Sequence, residues 1–543
     1  MGFSCSYGRH QYHHLSSLRA SSVPYLSHKA DLRHGKFRCG AQAASSTHPP
    51  KRLFGFAGGF SSDYDLGKLV GQGGFGTVYS AVHKRTGERR AVKRMLKRRS
   101  PDGWLDPLFV RRILHEVDIY NHIGHSLNTA YLYRVYEDQD HVDLVLELCS
   151  GGELWSRIQV NHYTEQEAAK LVREILRTLA QCHARGIIMR DVKPSNFLFL
   201  SEHPDAPLKA IDFGMATYCA AGQKLSDKAG SPIYLAPEVL RQSYDQRADI
   251  WGAGVIAYQL LTGRLPFSGE EGQEVSDRYM AKQMCPTRDT NRATLYSELD
   301  FERPPWDTSS ADARELVQSL LQRDPKQRPS AGDALHHRWL NPAEDDSSDR
   351  TLSGSIVQRL QRFGTYGRLK QAALRKVAHS IAADDAALMD LQKAFAQMDP
   401  EGTGTIRYAS VSQALQEFDL SEPERDQLMA DLVDNMDTAG QIKYDEWLAA
   451  MLDWKSVQDS SEWHDWIELA FKAFDIDGSG SIGSEDLQAL LCGGQCMVPD
   501  EVDAAIREAD LDGDGVINLQ EFEEFLTSNA NDALDLFETR LKH

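Results

Sequence analysis

The chain has 543 residues, of which 41% are hydrophobic and 26% are charged. At about 150 residues per domain, this length predicts roughly three to four globular domains, and the composition excludes wholesale disorder and fibrous classes. No stretch approaches the roughly 18–20 consecutive apolar residues that a membrane-spanning helix needs. The net charge of −19 argues against a general nucleic-acid binder.

The charge is unevenly distributed along the chain. Residues 1–62 hold eight basic residues and one acid, whereas residues 386–543 hold 9 basic and 35 acidic residues, and the middle of the chain is balanced. The acidic block also carries apolar residues at helical spacing, as in FEEFL and DEWLAAML. The block is therefore predicted to be folded rather than a solvated tail, so its excess of acidic residues requires a functional explanation.

The leader, residues 1–62, is rich in Ser and His, shows no periodicity and is predicted to be disordered. The sequence MGFSCS fits an acylation pattern, with Gly2 as the myristoyl acceptor and Cys5 as a palmitoyl acceptor. The bulky Phe3 fits this pattern poorly. Two acyl chains would anchor the protein stably to a membrane. A basic, acid-poor leader also resembles a transit peptide. Three alternatives stay open for the leader: a lipid anchor, a transit peptide, or a disordered segment with neither role. The predicted location is cytoplasmic, with or without membrane attachment, or alternatively a plastid or mitochondrion.

A glycine-rich segment follows the first predicted strand, DYDLGKLV. In GQGGFGTVY the glycines let backbone amides approach a phosphate closely. A dinucleotide-binding fold would begin a helix at these glycines. Here the alternating pattern continues instead through Val78 and Tyr79, which predicts a second strand. A third predicted strand carries Lys93. This order is typical of protein kinases. The predicted ATP-binding residues are Gly71, Gln72, Gly73, Gly74, Phe75, Gly76, Thr77, Val78, Lys93, Glu116, Glu147 and Cys149.

The remaining kinase motifs occur in order over about 260 residues, too many for accident. Glu116 lies in an apolar-periodic helix as the ion-pair partner of Lys93, and LVLELCSGGEL contains the hinge with Leu146 as gatekeeper. RDVKPSN supplies the catalytic residues Asp191 and Lys193. The magnesium ligands are predicted to be Asn196 of that motif and Asp212 of DFG. Further motif residues are Glu238 with its predicted partner Arg328, and Ser231 at the substrate site, which suits a Ser or Thr acceptor.

Two positions bear on regulation of this site. Met189 stands where the kinase motif has His, and a flexible apolar side chain can fill the same space beneath Phe213, so activity is expected to persist. The activation segment offers Thr217, Ser226 and Ser231 as hydroxyls. Arg190 could bind a phosphate there, or Asp227 could serve as a fixed negative charge instead.

The acidic block contains four loops that follow the calcium pattern D-x-[DN]-x-[DN]-G-x5-E, at 399–410, 435–446, 475–486 and 510–521. The fourth is complete, and the third closes with a shorter acid. Their predicted ligands are Asp475, Asp477, Ser479, Ser481, Asp486, Asp510, Asp512, Asp514, Val516 and Glu521, with Asn518 at position nine of the fourth loop. The second loop keeps the weak candidates Asn435, Asp437 and Glu446. The first has Ser410 at position twelve and is expected to be structural.

The junction between these regions, residues 350–385, holds seven basic and two acidic residues. Apolar residues recur in it at helical spacing: Ile356, Leu360, Phe363, Leu369, Ala373, Val377 and Ile381. A basic amphipathic helix beside an acidic calcium-binding block is predicted to bind a groove of that block. The alternative is a linker helix packed permanently on the kinase. Gly364 and Gly367 predict a break in the helix.

Kinase, junction and four EF-hands in one chain resemble the calcium-dependent protein kinases of plants, algae and protozoa, over residues 63–528. The resemblance implies an α+β bilobal kinase fold followed by an all-α calmodulin-like domain. The predicted segments are a leader at 1–62, a kinase domain at 63–340, a junction at 341–385, EF-hand lobes at 386–455 and 456–530, and a tail at 531–543.

That resemblance implies a Ser/Thr kinase that uses ATP, Mg²⁺ and Ca²⁺ and is held inactive by its junction until calcium loads the EF-hands. It also implies protein substrates with basic residues before the acceptor, for which Glu153 is a plausible contact. We expect a monomer that binds no nucleic acid. A calcium-independent kinase with structural EF-hands, and a sensor or scaffold with an inactive kinase domain, stay open as alternatives.

Overall fold

A computed structural model describes residues 54–73, 76–97, 106–160, 163–267, 288–302, 306–307, 309–341, 359, 363, 366–379, 381, 386–407, 410, 441–476, 478–491 and 499–527. The chain divides into two compact units, and Phe471–Phe522 belongs to one of them. The described residues up to Ala470, together with those from Glu523 onward, belong to the other. The predicted fold class, a bilobal kinase followed by EF-hands, is confirmed.

The kinase region begins with a small sheet lobe. Its strands are β1 (Tyr64–Gly73), β2 (Gly76–His83), β3 (Arg89–Leu96), β4 (Leu132–Glu137) and β5 (His141–Leu146), and they form an antiparallel sheet in the order β1-β2-β3-β5-β4. Short helix α1 (Phe60–Asp63) precedes the sheet, and α2 (Pro107–Ile123) lies between β3 and β4 in the chain. The apolar face of α2 is buried through Ile113, Val117 and Ile119, so this helix and the sheet share one core.

A larger lobe, mostly helical, follows. Its helices are α3 (Leu154–Val160), α4 (Glu165–Ala184), α5 (Pro237–Leu240), α6 (Arg247–Thr262), α7 (Arg288–Tyr296), α8 (Ala311–Leu320) and α9 (Ala331–Leu335). Short strand pairs join β6 (Ile187–Ile188) to β9 (Thr217–Tyr218) and β7 (Phe197–Phe199) to β8 (Leu208–Ala210). Thr164 and Glu167 form a capping box that begins α4. Helix α6 is buried from Ala248 to Leu260, as its nearly continuous apolar sequence predicts.

The junction and the first EF-hand pair belong to the same unit as the kinase region, and the last helix given below, α14, crosses from this unit into the other at Phe471. The junction helix is α10 (Arg368–Ala378), followed by α11 (Ala386–Met398), β10 (Thr405–Arg407), β11 (Gln441–Lys443), α12 (Tyr444–Met451), α13 (Trp454–Gln458) and α14 (Trp463–Phe474). Gly367 is the N-cap of α10, so the helix begins where the glycines predict a break. Strands β10 and β11 pair antiparallel with Ile406 opposite Ile442, which joins the first two loops.

The second EF-hand pair is built from the end of α14, α15 (Ser484–Leu491), α16 (Pro499–Ala509) and α17 (Leu519–Thr527). Ile482 and Ile517 exchange two backbone hydrogen bonds of 2.8 and 3.0 Å, which joins the third loop to the fourth. Phe474 and Phe522 pack with their ring centroids 5.7 Å apart in the core beneath. Each pair therefore has the two-loop bridge that the spacing of the four loops predicts.

Several predicted site residues lie outside the described residues. They are Gly2, Cys5, Gly74, Phe75, Asn435, Asp437 and Asp477. Among the helices that the structure describes, none has the length and apolar character needed to cross a membrane.

Candidate active site and calcium loops

The glycine-rich segment forms the hairpin between β1 and β2. Gly71 lies opposite Val78, and Gly73 lies opposite Gly76. Gly76 also packs against β3 so closely that a Cβ there would lie 2.8 Å from the carbonyl oxygen of Arg94. Glycine is thus required at this point for hairpin packing, in addition to its predicted role near phosphate.

Lys93 lies at the centre of a buried charge cluster. Its Nζ is 2.5 Å from Glu116 Oε1 on α2 and 2.9 Å from Asp212 Oδ1. Asp212 Oδ1 also accepts a hydrogen bond from the backbone N–H of Gly214 at 3.0 Å. The cluster joins the sheet, α2 and the DFG segment, which are far apart in the sequence, and it forms the ion pair predicted for Lys93.

Burial and charge act in opposite directions on these groups. Burial alone would lower the pKa of Lys93, but the carboxylates of Glu116 and Asp212 outweigh it and raise that pKa. Burial raises the pKa of Glu116. Burial would also raise the pKa of Asp212, yet the charge of Lys93 and the hydrogen bonds outweigh it and lower that pKa. Lys93 and Asp212 are therefore held in their charged forms, as phosphate and metal binding require.

The catalytic segment brings Asp191, Lys193, Asn196 and Ser231 together. Asp191 Oδ1 accepts a hydrogen bond from the Ser231 backbone N–H at 2.8 Å, and its Oδ2 lies 2.8 Å from Lys193 Nζ. Lys193 also donates to the Ser231 hydroxyl at 3.0 Å. Asn196 donates through Nδ2 to the Asp191 backbone oxygen at 2.9 Å, so its amide oxygen is the atom that could bind a metal.

Asp249, on α6, is a positioning residue that the sequence motifs did not single out. Its carboxylate accepts hydrogen bonds of 2.8 Å from the backbone N–H groups of Met189 and Arg190, and a ring nitrogen of His183 lies 2.9 Å from it. Arg190 has a φ of 67°, a strained value for a non-glycine residue, which these bonds help to hold. An acid in an otherwise apolar buried helix is the sequence signal that could have found it.

Met189 is fully buried in the same hydrophobic core as Phe213. The Phe213 ring packs edge-on against Tyr120 of α2, with ring centroids 5.1 Å apart. The apolar surroundings explain why Met can stand where the kinase motif has His, because the side chain is needed here for packing.

The activation segment is held by an ion pair between the Arg190 guanidinium and Asp227. Arg190 also donates from Nε to the backbone oxygen of Met215, at 2.6 Å, next to the DFG segment. Of the two alternatives for this segment, the structure contains the contact expected for Asp227 as a fixed negative charge. Glu238 and Arg328 form the predicted ion pair with a 2.7 Å hydrogen bond.

The side chains of the predicted hinge residues Glu147 and Cys149 are engaged within the protein. The Glu147 carboxylate lies 2.8 Å from Lys209 Nζ, in a buried pair, and so is already used by the helical lobe. Cys149 is buried with Ala130 and Leu200, and burial raises the pKa of its thiol. Neither side chain is therefore placed to bind a nucleotide base.

The fourth calcium loop brings its acids together. Ligand oxygens of Asp510, Asp512 and Asp514 lie within 4.8 Å of one another, which fits a hard cation with oxygen ligands. Glu521 closes the loop by accepting hydrogen bonds from the N–H groups of Leu511 at 3.0 Å and Asn518 at 2.9 Å. The donor set and the closed loop therefore fit Ca²⁺.

The third loop closes in the same manner despite its shorter acid. Asp486 accepts hydrogen bonds of 2.9 Å from the N–H groups of Ile476 and Gly483. Asp475 accepts from Ser479 and Gly480, as the first residue of such a loop does. The described residues of this loop are thus arranged like those of the fourth, and Val516 and Ser481 occupy the positions that offer a backbone oxygen.

In the second loop, the closing acid has another partner. Glu446 Oε1 lies 2.8 Å from Arg375 Nη1 on the junction helix α10, while Oε2 accepts from the Lys443 N–H at 2.9 Å. Burial raises the pKa of Glu446. The residue predicted as a weak calcium ligand therefore also connects the second loop with the junction.

Comparison with known proteins agrees with this architecture. Residues 64–340 match the protein kinase domain family, and residues 465–527 match the EF-hand domain pair family. The fold and site thus define a protein kinase joined to an EF-hand region.

Three curated relatives extend the likeness over most of the chain. Calcium-dependent protein kinase 11 of Oryza sativa subsp. japonica is 37% identical over 471 residues, which covers 86% of this chain and 77% of the relative. Calcium-dependent protein kinase 16 of the same plant is 36% identical over 86% of this chain and 81% of the relative. Calcium-dependent protein kinase 34 of Arabidopsis thaliana is 36% identical over 85% of this chain and 83% of the relative. The chain belongs to the calcium-dependent protein kinase family, and it is a protein serine/threonine kinase.

Proposed function

We propose that this kinase is switched by calcium through its junction, which inhibits the kinase at low calcium and is held by the EF-hands when calcium is bound. One observation carries the proposal. The Lys93–Glu116–Asp212 cluster is formed while the junction helix α10 is packed on α12 of the first EF-hand pair, with Arg375 joined to Glu446. An assembled active site thus coexists with a junction engaged by EF-hands.

The junction also reaches the sheet lobe directly. Tyr133 donates from its hydroxyl to the backbone oxygen of His379, at 3.3 Å, and the His379 ring lies 4.1 Å from that of His125 between centroids. His125 follows α2, the helix that carries Glu116. A junction held at His379 therefore supports the end of α2, the helix whose Glu116 pairs with Lys93.

Magnesium-ATP, when bound, supplies the phosphoryl group and much of the charge neutralisation that its transfer needs. Lys93 provides a fixed positive charge for phosphate, and Asp212 and Asn196 offer oxygens for the metal. The Asp191 carboxylate orients the substrate hydroxyl and receives its proton. Lys193 stabilises charge at the same place, since it lies beside both Asp191 and the Ser231 hydroxyl.

The protein substrates are proposed to carry a basic residue N-terminal to the acceptor, bound by Glu153. Partial burial raises the pKa of Glu153, and the positive charge of Lys193 opposes that rise. The residue remains exposed, so its carboxylate can meet a basic residue of the substrate. The test compares peptides with Arg or Ala at the basic position. Glu153→Gln should remove most of the preference for Arg, whereas Glu202→Gln, on an exposed turn, should leave it intact. An unchanged preference in Glu153→Gln would rule out this contact.

Peptide phosphorylation with and without calcium tests the switch and separates its rivals. A switch from about 1% to about 99% active needs about 10⁴-fold differential affinity and raises activity about 100-fold. For a switch that is less complete, we still expect activity to rise at least tenfold when calcium replaces chelator. Equal activity in both conditions would favour a calcium-independent kinase with structural EF-hands. No activity in either condition, with Asp191→Ala indistinguishable from the unmodified chain, would favour a sensor or scaffold.

Attachment to a membrane through acylated Gly2 and Cys5 is proposed on the sequence pattern alone, with a cytoplasmic location. Incorporation of a labelled fatty acid that Gly2→Ala abolishes would support it. Removal of the leader on import into an organelle would support the transit-peptide alternative.

A further inference from the structure

The first EF-hand loop, residues 399–410, packs against α4 of the helical lobe. Arg177 of α4 donates to the backbone oxygen of Ala396, in the last turn of α11, at 2.8 Å. Arg185, the C-cap of α4, donates to the backbone oxygen of Thr403, inside the loop, at 3.0 Å. A cation at the C-terminal end of α11 is favourable, because the last carbonyls of a helix carry partial negative charge.

Two glycines allow this close approach. A Cβ at Gly402 would lie 2.8 Å from Leu335 Cδ1 and 3.0 Å from Arg177 Cγ. A Cβ at Gly404 would lie 2.7 Å from Gln181 Nε2 and 2.8 Å from Gln181 Cδ. The distances of 2.7 and 2.8 Å are shorter than real Cβ contacts, so the loop lies directly on the surface formed by α4 and α9.

The third and fourth loops provide an internal comparison. Gly480 and Gly515 occupy the same loop position as Gly404, with φ of 87° and 88° against 76°. A Cβ at either of them would meet no described atom within 4 Å. The local backbone is thus alike in the three loops, and the close packing is specific to the first.

The first loop is also poorly equipped for calcium. Ser410 stands at the position where the fourth loop has Glu521. Asp399 is buried, and burial raises its pKa, although hydrogen bonds from Thr403 and Gly404 oppose the rise. Burial makes Asp399 costly to ionise, and the loop has no carboxylate at position twelve. The first loop is therefore a weak site for a divalent cation.

We infer that the first EF-hand loop is a calcium-independent anchor that holds the first EF-hand pair on the helical lobe of the kinase. The contacts that form it are two arginine hydrogen bonds to backbone oxygens and the packing of two glycines, and none of them involves a calcium ligand. The anchor therefore forms at any calcium concentration. It goes beyond the proposed switch and does not depend on it, since an anchored loop is compatible with both a regulated and a constitutive kinase.

Hydrogen–deuterium exchange of the full chain in chelator tests the anchor. The peptide covering 386–407 should be protected without calcium, and adding calcium should change its exchange by less than about twofold. Gly404→Ala should make this peptide exchange roughly tenfold faster, for two reasons. A non-glycine residue is strained at a φ of 76°, and its Cβ would lie 2.7 Å from the buried Gln181 side chain, which would have to move. Gly480→Ala is the matched control: it adds the same group at the same loop position, and should leave 386–407 unchanged.

A second variant separates loss of docking from general loss of folding. All three atoms nearest to a Cβ at Gly404 belong to the Gln181 side chain. Gln181→Ala combined with Gly404→Ala should therefore restore the part of the protection of 386–407 that overpacking removed, while the backbone strain at a φ of 76° remains. Fast exchange of this peptide in the unmodified chain without calcium would overturn the anchor. So would protection that appears only with calcium, no rescue in the double variant, or the loss of one bound calcium in calorimetry of Asp399→Asn. A calcium-insensitive kinase activity would contradict the switch and leave the anchor standing.

Discussion

The Arg375–Glu446 pair offers a quantitative test of how the junction is held. Its charged atoms are 2.8 Å apart, and the two side chains are 25% and 16% exposed, so the pair is only partly screened by water. An ion pair in such a setting contributes more than an exposed pair, about 1–2 kcal/mol, which corresponds to roughly 5–30-fold in an equilibrium constant. Arg375→Ala should weaken the engaged state of the junction by that factor.

The expected effect on activity follows from the number of calcium ions. If the third and fourth loops drive the switch together, the half-maximal calcium concentration changes by about the square root of this factor, roughly two- to fivefold upward. The assay is a calcium titration of peptide phosphorylation by the full chain. Arg338→Ala is the control: it removes an arginine that is 73% exposed and paired with Asp312 and Glu315 on the surface of the helical lobe, and it should leave the midpoint within experimental error.

A double-mutant cycle distinguishes the two roles of Glu446. If Glu446 acts mainly as the partner of Arg375, Glu446→Gln should shift the midpoint by a similar amount, and the double variant should be little worse than either single one. If Glu446 instead acts only as a calcium ligand, the two effects should add. Additive shifts, or an Arg375→Ala midpoint equal to that of the unmodified chain, would refute the reasoning.

Three further outcomes are expected. Burial lowers the pKa of both His125 and His379, with Lys209 and Lys376 nearby, so the neutral rings favour docking. The stability that the neutral rings give to the docked junction is fully present above about pH 6.5 and is lost as the pH falls below it. Hydrogen exchange of the junction helix should therefore quicken between about pH 7 and 5.5. His379→Gln should make this exchange depend less on pH. Phosphatase treatment should leave activity intact, whereas Asp227→Ala should lower it several-fold by leaving Arg190 without its carboxylate partner. Glu521→Gln should weaken calcium binding to the fourth loop by about 100-fold in calorimetry, since the bidentate ligand is lost.

The sequence predicted most of the local chemistry. Motif order identified Lys93 with Glu116, and the structure joins them although 23 residues separate the two. The calcium pattern likewise predicted that Asp510, Asp512 and Asp514 converge, because all three lie in one short loop. Such predictions succeed because a local motif, once recognised, carries its own geometry.

The contacts that hold one region on another could not be predicted in the same way. Apolar periodicity indicates which face of α10 is buried, but it does not identify what covers that face, and only the structure joins Arg375 to Glu446 across 71 positions. The first loop resembles a calcium site that has lost a ligand, and its docking on Arg177 and Arg185 has no sequence signature. An acid in an otherwise apolar helix does mark Asp249 in the sequence, but its partners could not be predicted, since the hydrogen bonds it accepts depend on the fold of two separate segments.

The central claim is that calcium acts on the EF-hands to release an otherwise competent kinase. The most direct measurement is the initial rate of peptide phosphorylation by the full chain across a calcium titration, with saturating magnesium-ATP. We predict a low rate in chelator, a cooperative rise with calcium, and a rise that Glu521→Gln shifts to higher calcium or caps. A rate that is the same in chelator and in saturating calcium would contradict the account.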